Sequence, residues 1–262
     1  MAMRSAVTIH IEAQEGISSL RSAFFNPPFK IANITEDKRG PFLDLMLMCS
    51  SPGVLDGDEQ TIRVTLGPDS RLRLHTQSYQ RLFQMKNGAT QQIEVRLEKG
   101  ACFCWLPHPS VPHADSVFSS RNRIFLAEDA RLIWGEILTC GRKGSGEVFA
   151  LSSYHSRTEV FIQDQLALLE NLYLRPSMLP VAALGQLEGY THQASLLLVG
   201  FSADRSLRAA IDSRLEDTVH GITVGPANSL IIRLLGNQAE PLYECLQAIG
   251  SIVFQKNLIH AS

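Results

Sequence analysis

Three oxygen-bearing side chains, Asp58, Thr76 and Glu136, are of types that can hold a divalent cation loosely enough to release it. Asp58 ends a turn-rich loop, Ser51-Pro52-Gly53-Val54-Leu55-Asp56-Gly57-Asp58, in which Pro52-Gly53 marks a turn and Gly57 permits a tight backbone. Taken alone, that loop reads as a β-turn with a solvated aspartate. Glu136 follows Trp134-Gly135 and precedes Ile137-Leu138, and burying an unpaired carboxylate among such neighbours is costly. It therefore faces a polar cavity, a partner or a cation, or it ends its strand and turns to solvent. A second set is Cys102 and Cys104, on one face of a strand, with His108 and His113 downstream in a proline-rigidified loop. Thiolate and imidazole together suit Ni²⁺ or Zn²⁺. The competing reading is two packing cysteines and two exposed loop histidines.

Several catalytic signatures are absent. The chain has no GxxxxGK[ST], GxGxxG, HExxH or GxSxG motif, and Gly141-Arg142-Lys143-Gly144-Ser145-Gly146 has the spacing of a hairpin turn rather than a phosphate loop. The chain is expected to hydrolyse no nucleotide by itself. A non-catalytic role is the leading expectation. A hydrolase using Asp58 and Glu136 as a carboxylate pair is the weaker alternative.

The elements that must position these residues show a repeat. Residues 64–74 (VTLGPDSRLRL), 95–105 (VRLEKGACFCW) and 124–134 (IFLAEDARLIW) align without a gap, and Leu66, Leu97 and Leu126 recur at spacings of 31 and 29 residues. A near-constant period means one supersecondary unit stacked on copies of itself. Each unit reads as strand, tight turn, strand, so stacked hairpins would bury a ladder of Leu, Phe and Trp. Thr76, Pro107 and Glu136 then follow the second strands in register. With Asp58 they could line a shared oxygen-rich passage for an ion held mostly through water.

The remaining chain frames that stack. Residues 7–12 and 42–48 read as strands, the latter broken only by Asp44. Phe24-Phe25-Asn26-Pro27-Pro28-Phe29 is an extended segment expected across the sheet or at an interface, with Phe24, Phe25 and Phe29 as partner-binding residues. A strand pair is expected over 147–153 and 156–163, and 165–174 is left unassigned by periodicity. Strands over 193–201 and 229–235 alternate with two helices. The first runs over 203–217, is capped by Ser202, and carries Leu207, Ile211 and Leu215; the second starts at Pro241 and carries Leu242, Leu246, Ile249 and Val253. The expected fold is mainly β, with β-helix-like stacked sheets from roughly 30-residue repeats and two C-terminal α-helices on one end. Residues 1–262 are expected to form a single domain, a β body to about 175 and its completion beyond.

Composition agrees. The 262 residues are 45% hydrophobic and 19% charged, and a net charge of −2 gives no global field for nucleic acid. Apolar runs fall short of the roughly 18–20 residues that cross a bilayer, and the N-terminus lacks the continuous apolar region of a signal peptide. Five cysteines, an odd number, argue against a disulfide framework, so a cytoplasmic location is expected.

In order and spacing, the segments Phe24-Phe25-Asn26-Pro27-Pro28-Phe29-Lys30, Ser51-Pro52-Gly53 with Gly57-Asp58, and Leu74-His75-Thr76-Gln77-Ser78 resemble the UreD/UreH family of urease accessory proteins, nearest its UreH branch. Trp105-Leu106-Pro107, Gly135-Glu136-Ile137-Leu138, Gly144-Ser145-Gly146-Glu147-Val148-Phe149 and Gly189-Tyr190-Thr191-His192 extend the likeness over roughly residues 20–200. The resemblance implies a non-catalytic scaffold that pairs with UreF in a two-plus-two assembly, recruits the GTPase UreG through UreF, and docks on apo-urease. It implies transient Ni²⁺ and no tightly bound cofactor, with Asp58, Thr76 and Glu136 along an internal tunnel. A pure interaction scaffold, with no ion passing through, is the alternative.

Overall fold

The computed structural model describes residues 2–201 and 204–259. In chain order the strands are β1 (Arg4–Gln14), β2 (Ile17–Phe25), β3 (Phe29–Asn33), β4 (Leu43–Cys49), β5 (Glu59–Leu66) and β6 (Arg71–Thr76). Next come β7 (Gln80–Leu82), β8 (Ala89–Leu97), β9 (Cys102–Trp105), β10 (Ser110–Pro112), β11 (Val117–Leu126) and β12 (Arg131–Thr139). The chain continues through β13 (Ser153–Ile162), β14 (Gln165–Leu174), β15 (His192–Val199), α1 (Arg205–Leu215), β16 (Val219–Gly225), β17 (Ser229–Gly236) and α2 (Ala239–Ile259). They form a seven-stranded sheet, β14-β13-β11-β8-β5-β1-β2, and a ten-stranded sheet, β16-β17-β15-β12-β9-β6-β4-β3, to which β7 and β10 are added.

The gap-free repeat is realised as parallel register. Val64 pairs with Val95 and Val95 with Ile124 in the seven-stranded sheet. Leu74 pairs with Trp105 and Trp105 with Trp134 in the other. The two strands of a unit do not pair with each other, because the turn between them carries the chain from one sheet to the facing one. Stacked hairpins are thus replaced by corner-turning units. The equivalent turn residues Asp69, Gly100 and Asp129 all take left-handed backbone, with φ of 54°, 71° and 59°. Aspartate and glycine tolerate that region best, which is why the three turns align. A small buried residue follows each, Ser70, Ala101 and Ala130, where neighbouring turns abut.

One core lies between the sheets and a second lies outside the ten-stranded sheet. The first takes Val64, Val95 and Ile124 from one sheet and Leu74, Trp105 and Trp134 from the other. The second takes Cys102, Cys104, Ile133 and Leu196 from the outer sheet face, with Leu207, Ile211, Leu246 and Ile249 from α1 and α2. The chain is mainly β, as expected. The helices, however, cover a sheet face rather than one end, because both expected stripes match the apolar outer residues of β9, β12, β15 and β17.

Other local expectations shift. Phe24 and Phe25 lie in β2, paired to Thr8 and Val7, so the ladder runs to the residue before Asn26. Residues 165–174 form β14, antiparallel to β13. The strand pair expected over 147–153 and 156–163 does not form: 147–152 is irregular, a single strand β13 starts at Ser153, and the glycine-rich 141–146 segment holds a short 3₁₀ turn, Lys143–Ser145, that crosses between sheets instead of closing a hairpin. The N-cap of α1 is Asp204, whose side chain accepts from Leu207 N at 2.6 Å. Ser202, expected in that role, lies outside the described residues. Asp44, the polar interruption in β4, pairs with Arg73 of the adjacent strand, Nε to Oδ2 being 2.8 Å. Among the described residues no helix is long and apolar enough to cross a membrane.

Candidate functional site

One rung beyond the paired Trp105 and Trp134, polar side chains enter the space between the sheets beside apolar ones such as Phe118 and Tyr154. A cavity of about 220 Å³ opens there, with Trp105 and Trp134 in its wall. Thr76, Pro107 and Glu136 line it from the ten-stranded side, as their common offset from Leu74, Trp105 and Trp134 requires. From the seven-stranded side it is lined by Gln60, Gln91, Ser120 and Ser156. These four pair laterally, Gln60 with Gln91, Gln91 with Ser120, and Ser120 with Ser156. They form a wholly polar row on an inward-facing surface. The signal was present in the sequence: each lies four residues before the repeat's β-branched position, at 64, 95, 124 and 160. Ser51, Pro52 and Gly53 reach the cavity with the exposed Gln77 and Ser78. Gly53 is required there, since an added Cβ would lie 2.5 Å from the Arg81 carbonyl oxygen.

Glu136 is half-buried and held on four sides. Its Oε1 accepts from Asn122 Nδ2 at 2.9 Å, Trp134 Nε1 at 3.0 Å and Thr158 Oγ1 at 2.9 Å, and its Oε2 from Ser156 Oγ at 2.8 Å. All four donors are neutral, so among the described residues no ion pair cancels the charge of the carboxylate they fix. Burial, and secondarily the Glu136 charge, push the neighbouring Tyr154 hydroxyl well above its usual pKa, so it stays protonated.

Glu136 also borders a second cavity, of about 100 Å³, which shares Ile137, Tyr154 and Ser156 with the first. Its far wall contains Glu170 and Arg233, whose Nη2 donates to Oε1 at 2.9 Å and Oε2 at 2.6 Å. The two cavities therefore meet at one carboxylate. Sequence reasoning missed Glu170 and Arg233 because β14 could not be assigned and β17 read only as a buried strand.

The other anticipated residues divide. Asp58 is buried and lines neither cavity; its Oδ1 accepts from Met3 N at 3.0 Å and its Oδ2 from Leu55 N at 2.9 Å. It ties down its own loop while Ser51, Pro52 and Gly53 face the cavity. Gly57, with φ of 82°, makes that turn possible. His108 lines the cavity, its Nδ1 3.1 Å from Thr76 Oγ1 and its ring stacked on Tyr243 of α2 at 4.4 Å. Burial holds its pKa below the usual histidine value. His113 is buried against Phe83 at 4.8 Å and lines none of these cavities, so it is not an exposed loop residue. Cys102 and Cys104 are fully buried in the core beneath the helices, and burial drives the Cys104 thiol far up in pKa, away from the thiolate a metal needs. Among the described residues, no three His, Cys, Asp or Glu side chains come together in a metal-holding group. Phe24 and Phe25 are 60% and 42% exposed, whereas Phe29 is 6% exposed and part of the core and the cavity wall. Of the three phenylalanines expected to bind a partner, only Phe24 and Phe25 stand on the surface.

Comparison with known proteins follows the same lines. A family model described as UreD urease accessory protein matches residues 3–261. The urease accessory protein UreD of Flavobacterium johnsoniae is 44% identical over 241 residues, covering 90% of this chain and 87% of the relative. That of Acetivibrio thermocellus is 35% identical over 257 residues, covering 95% and 97%. The urease accessory protein UreH of Helicobacter hepaticus is 29% identical over 231 residues, covering 87% and 90%.

Proposed function

The chain belongs to the UreD urease accessory protein family, and from that premise we propose that it gives Ni²⁺ a hydrated route toward apo-urease during urease maturation. Ni²⁺ here is cargo, held transiently, and no tightly bound cofactor is involved. In this reading the protein works in the cytoplasm, pairs two-plus-two with UreF, and through UreF holds the GTPase UreG against apo-urease. It supplies no chemistry of its own.

One observation carries the passage: two cavities, each with a polar strip in its wall, meet at Glu136, a carboxylate fixed only by neutral donors. Such a group offers a persistent negative potential, yet most of its oxygen lone pairs are already engaged. An aquated divalent cation is attracted to it through its water shell rather than stripped and trapped. Amide and hydroxyl side chains of the row from Gln60 to Ser156, with Thr76 opposite, replace bulk water at low cost. Asp58 takes no part in the route; it shapes the loop at the mouth.

The test is complementation of a urease-positive host lacking this chain, with urease activity and nickel content of the purified enzyme as readouts. Glu136→Gln keeps the shape and removes the charge, and nickel loading should fall about tenfold while co-purification with UreF is unchanged. Full nickel loading in that variant would remove the passage and leave the scaffold. A scaffold without passage is favoured by one finding, the exposure of Phe24 and Phe25 on β2. In that case Phe25→Asp abolishes activation and Glu136→Gln does nothing.

A further inference from the structure

The two outer faces of the sheet pair are treated differently: α1 and α2 cover the ten-stranded sheet, while among the described residues no helix covers the seven-stranded one. Its outer positions alternate with the core residues of the same strands. Six arginines stand there, Arg4, Arg63, Arg96, Arg121, Arg123 and Arg157, in a chain of net charge −2. Parallel register sets Arg63, Glu94, Arg123 and Glu159 in one row across the sheet, and Arg96, Phe125 and Phe161 in the next.

Two of the guanidinium groups lie over aromatic rings. The Phe125 and Phe161 rings stack at 4.9 Å; Arg96 Cζ lies 4.3 Å from the Phe125 centroid, and Arg123 Cζ lies 5.0 and 5.6 Å from the two rings. The local carboxylates are already engaged. Glu94 pairs with Arg96 at 2.9 Å, Glu159 takes Arg121 at 3.0 Å and Arg157 at 2.8 Å, and Glu59 at the end of β5 pairs with Arg4 at 3.1 Å. Arg63 and Arg123 have no carboxylate in ion-pair reach among the described residues. They flank a recess of about 140 Å³ with Thr61, Gln92, Glu94 and Arg121.

From this arrangement we propose that the outer face of the seven-stranded sheet docks a protein surface that presents separate carboxylates, one of which enters the recess between Arg63, Arg121 and Arg123. Arginine and aromatic side chains are the residue types enriched where interfaces bind most strongly. Seven strands at about 4.8 Å spacing and about 3.3 Å per residue offer a face of roughly 850 Å², close to the ~800 Å² each partner contributes to a standard interface. A second copy of the same face fits less well, because its arginines outnumber the carboxylates of Glu59, Glu94 and Glu159. A nucleic-acid backbone fits less well, because Glu94 and Glu159 interrupt the cationic rows, whereas isolated carboxylates can sit between them.

The inference rests on the maturation role proposed above, since it takes its partner from that assembly. The test measures affinity of the full chain for apo-urease and for UreF separately, at 50 and 300 mM NaCl. One of the two associations should weaken at least tenfold with salt and at least tenfold in Arg63→Glu, with Arg123→Gln weakening it in the same direction. Arg208→Glu, an equal charge change on α1, should leave both associations unchanged. Unaltered binding of both partners to Arg63→Glu and Arg123→Gln would overturn the proposal. So would binding of inorganic phosphate or an RNA oligonucleotide that these substitutions abolish while both protein associations persist. Failure of the Glu136→Gln test would remove ion passage but not this surface, so the two readings fail separately.

Discussion

A carboxylate with four neutral hydrogen-bond donors is a different object from one with a cationic partner. Glu136 keeps its charge and its position at once, and losing the charge alone should cost nickel delivery rather than folding: Glu136→Gln is expected to melt within about 2 °C of the parent. Asp58 is the opposite case. Because both its oxygens bind backbone amides, Asp58→Asn should lower stability by about 1 kcal/mol while nickel loading per folded molecule stays unchanged. Thermal melts beside nickel analysis separate the two. His192 gives a pH signature. Burial, then Lys143, lower its pKa to about 4, below the ordinary value near 6.5. The folded state thus binds fewer protons than the unfolded one between those values, and stability present above pH 6.5 is lost as pH falls toward 4. After discounting for partial solvation the loss is about 1–2 kcal/mol. His192→Asn should therefore flatten the decline of melting temperature between pH 6.5 and 4.5. At this scale the sequence showed Thr76 and Glu136 correctly placed together, because register follows from counting. It misplaced Asp58 and His113, because whether a loop side chain turns inward is settled by backbone contacts far away in sequence.

Among the elements, the repeat was the legible feature, and its limits are physical. Alternating apolar residues identify strands but do not say whether the next strand pairs with the last or faces it across a core. The left-handed turn at Asp69, Gly100 and Asp129 serves either geometry in outline, so hairpins were the natural expectation. The polar row from Gln60 to Ser156 was equally countable, but only once inward-facing parity is extended past the apolar ladder. That row makes a test at its own scale. Gln91 Nε2 donates to Gln60 Oε1 at 2.9 Å, and replacing both by Leu removes the pair together, which is nearly neutral or stabilising. The double variant should melt no lower than the parent while nickel loading falls. By contrast Leu246→Ala, in the core between α2 and the ten-stranded sheet, should cost about 3 kcal/mol and lower the melting temperature by roughly 6–12 °C.

Viewed whole, the molecule is two facing sheets with helices on one outer face and arginines on the other, open at both ends. At one end β2 exposes Phe24 and Phe25; at the other, β14 and β16 expose Leu166, Leu169, Tyr173 and Val224. Exposed apolar residues at open sheet edges are uncommon in a protein that works alone. Phe25→Asp is accordingly expected to leave the fold intact and weaken one partner contact, whereas Phe29→Asp should prevent folding, since Phe29 belongs to the inter-sheet core. Circular dichroism and co-purification distinguish these outcomes. The helices' location on a face was not legible, because an apolar stripe says what a helix buries and not which surface receives it.

The indole of Trp134 donates to Glu136, and Trp105 lies beside it with ring centroids 6.0 Å apart. These are the chain's two tryptophans, so its ultraviolet emission originates at the proposed ion route. A paramagnetic ion reaching Glu136 would quench that emission, and a diamagnetic one such as Mg²⁺ would at most shift its colour. Arrival of cargo could then be timed by stopped-flow light emission from the unlabelled protein, with Glu136→Gln as the dark-channel control.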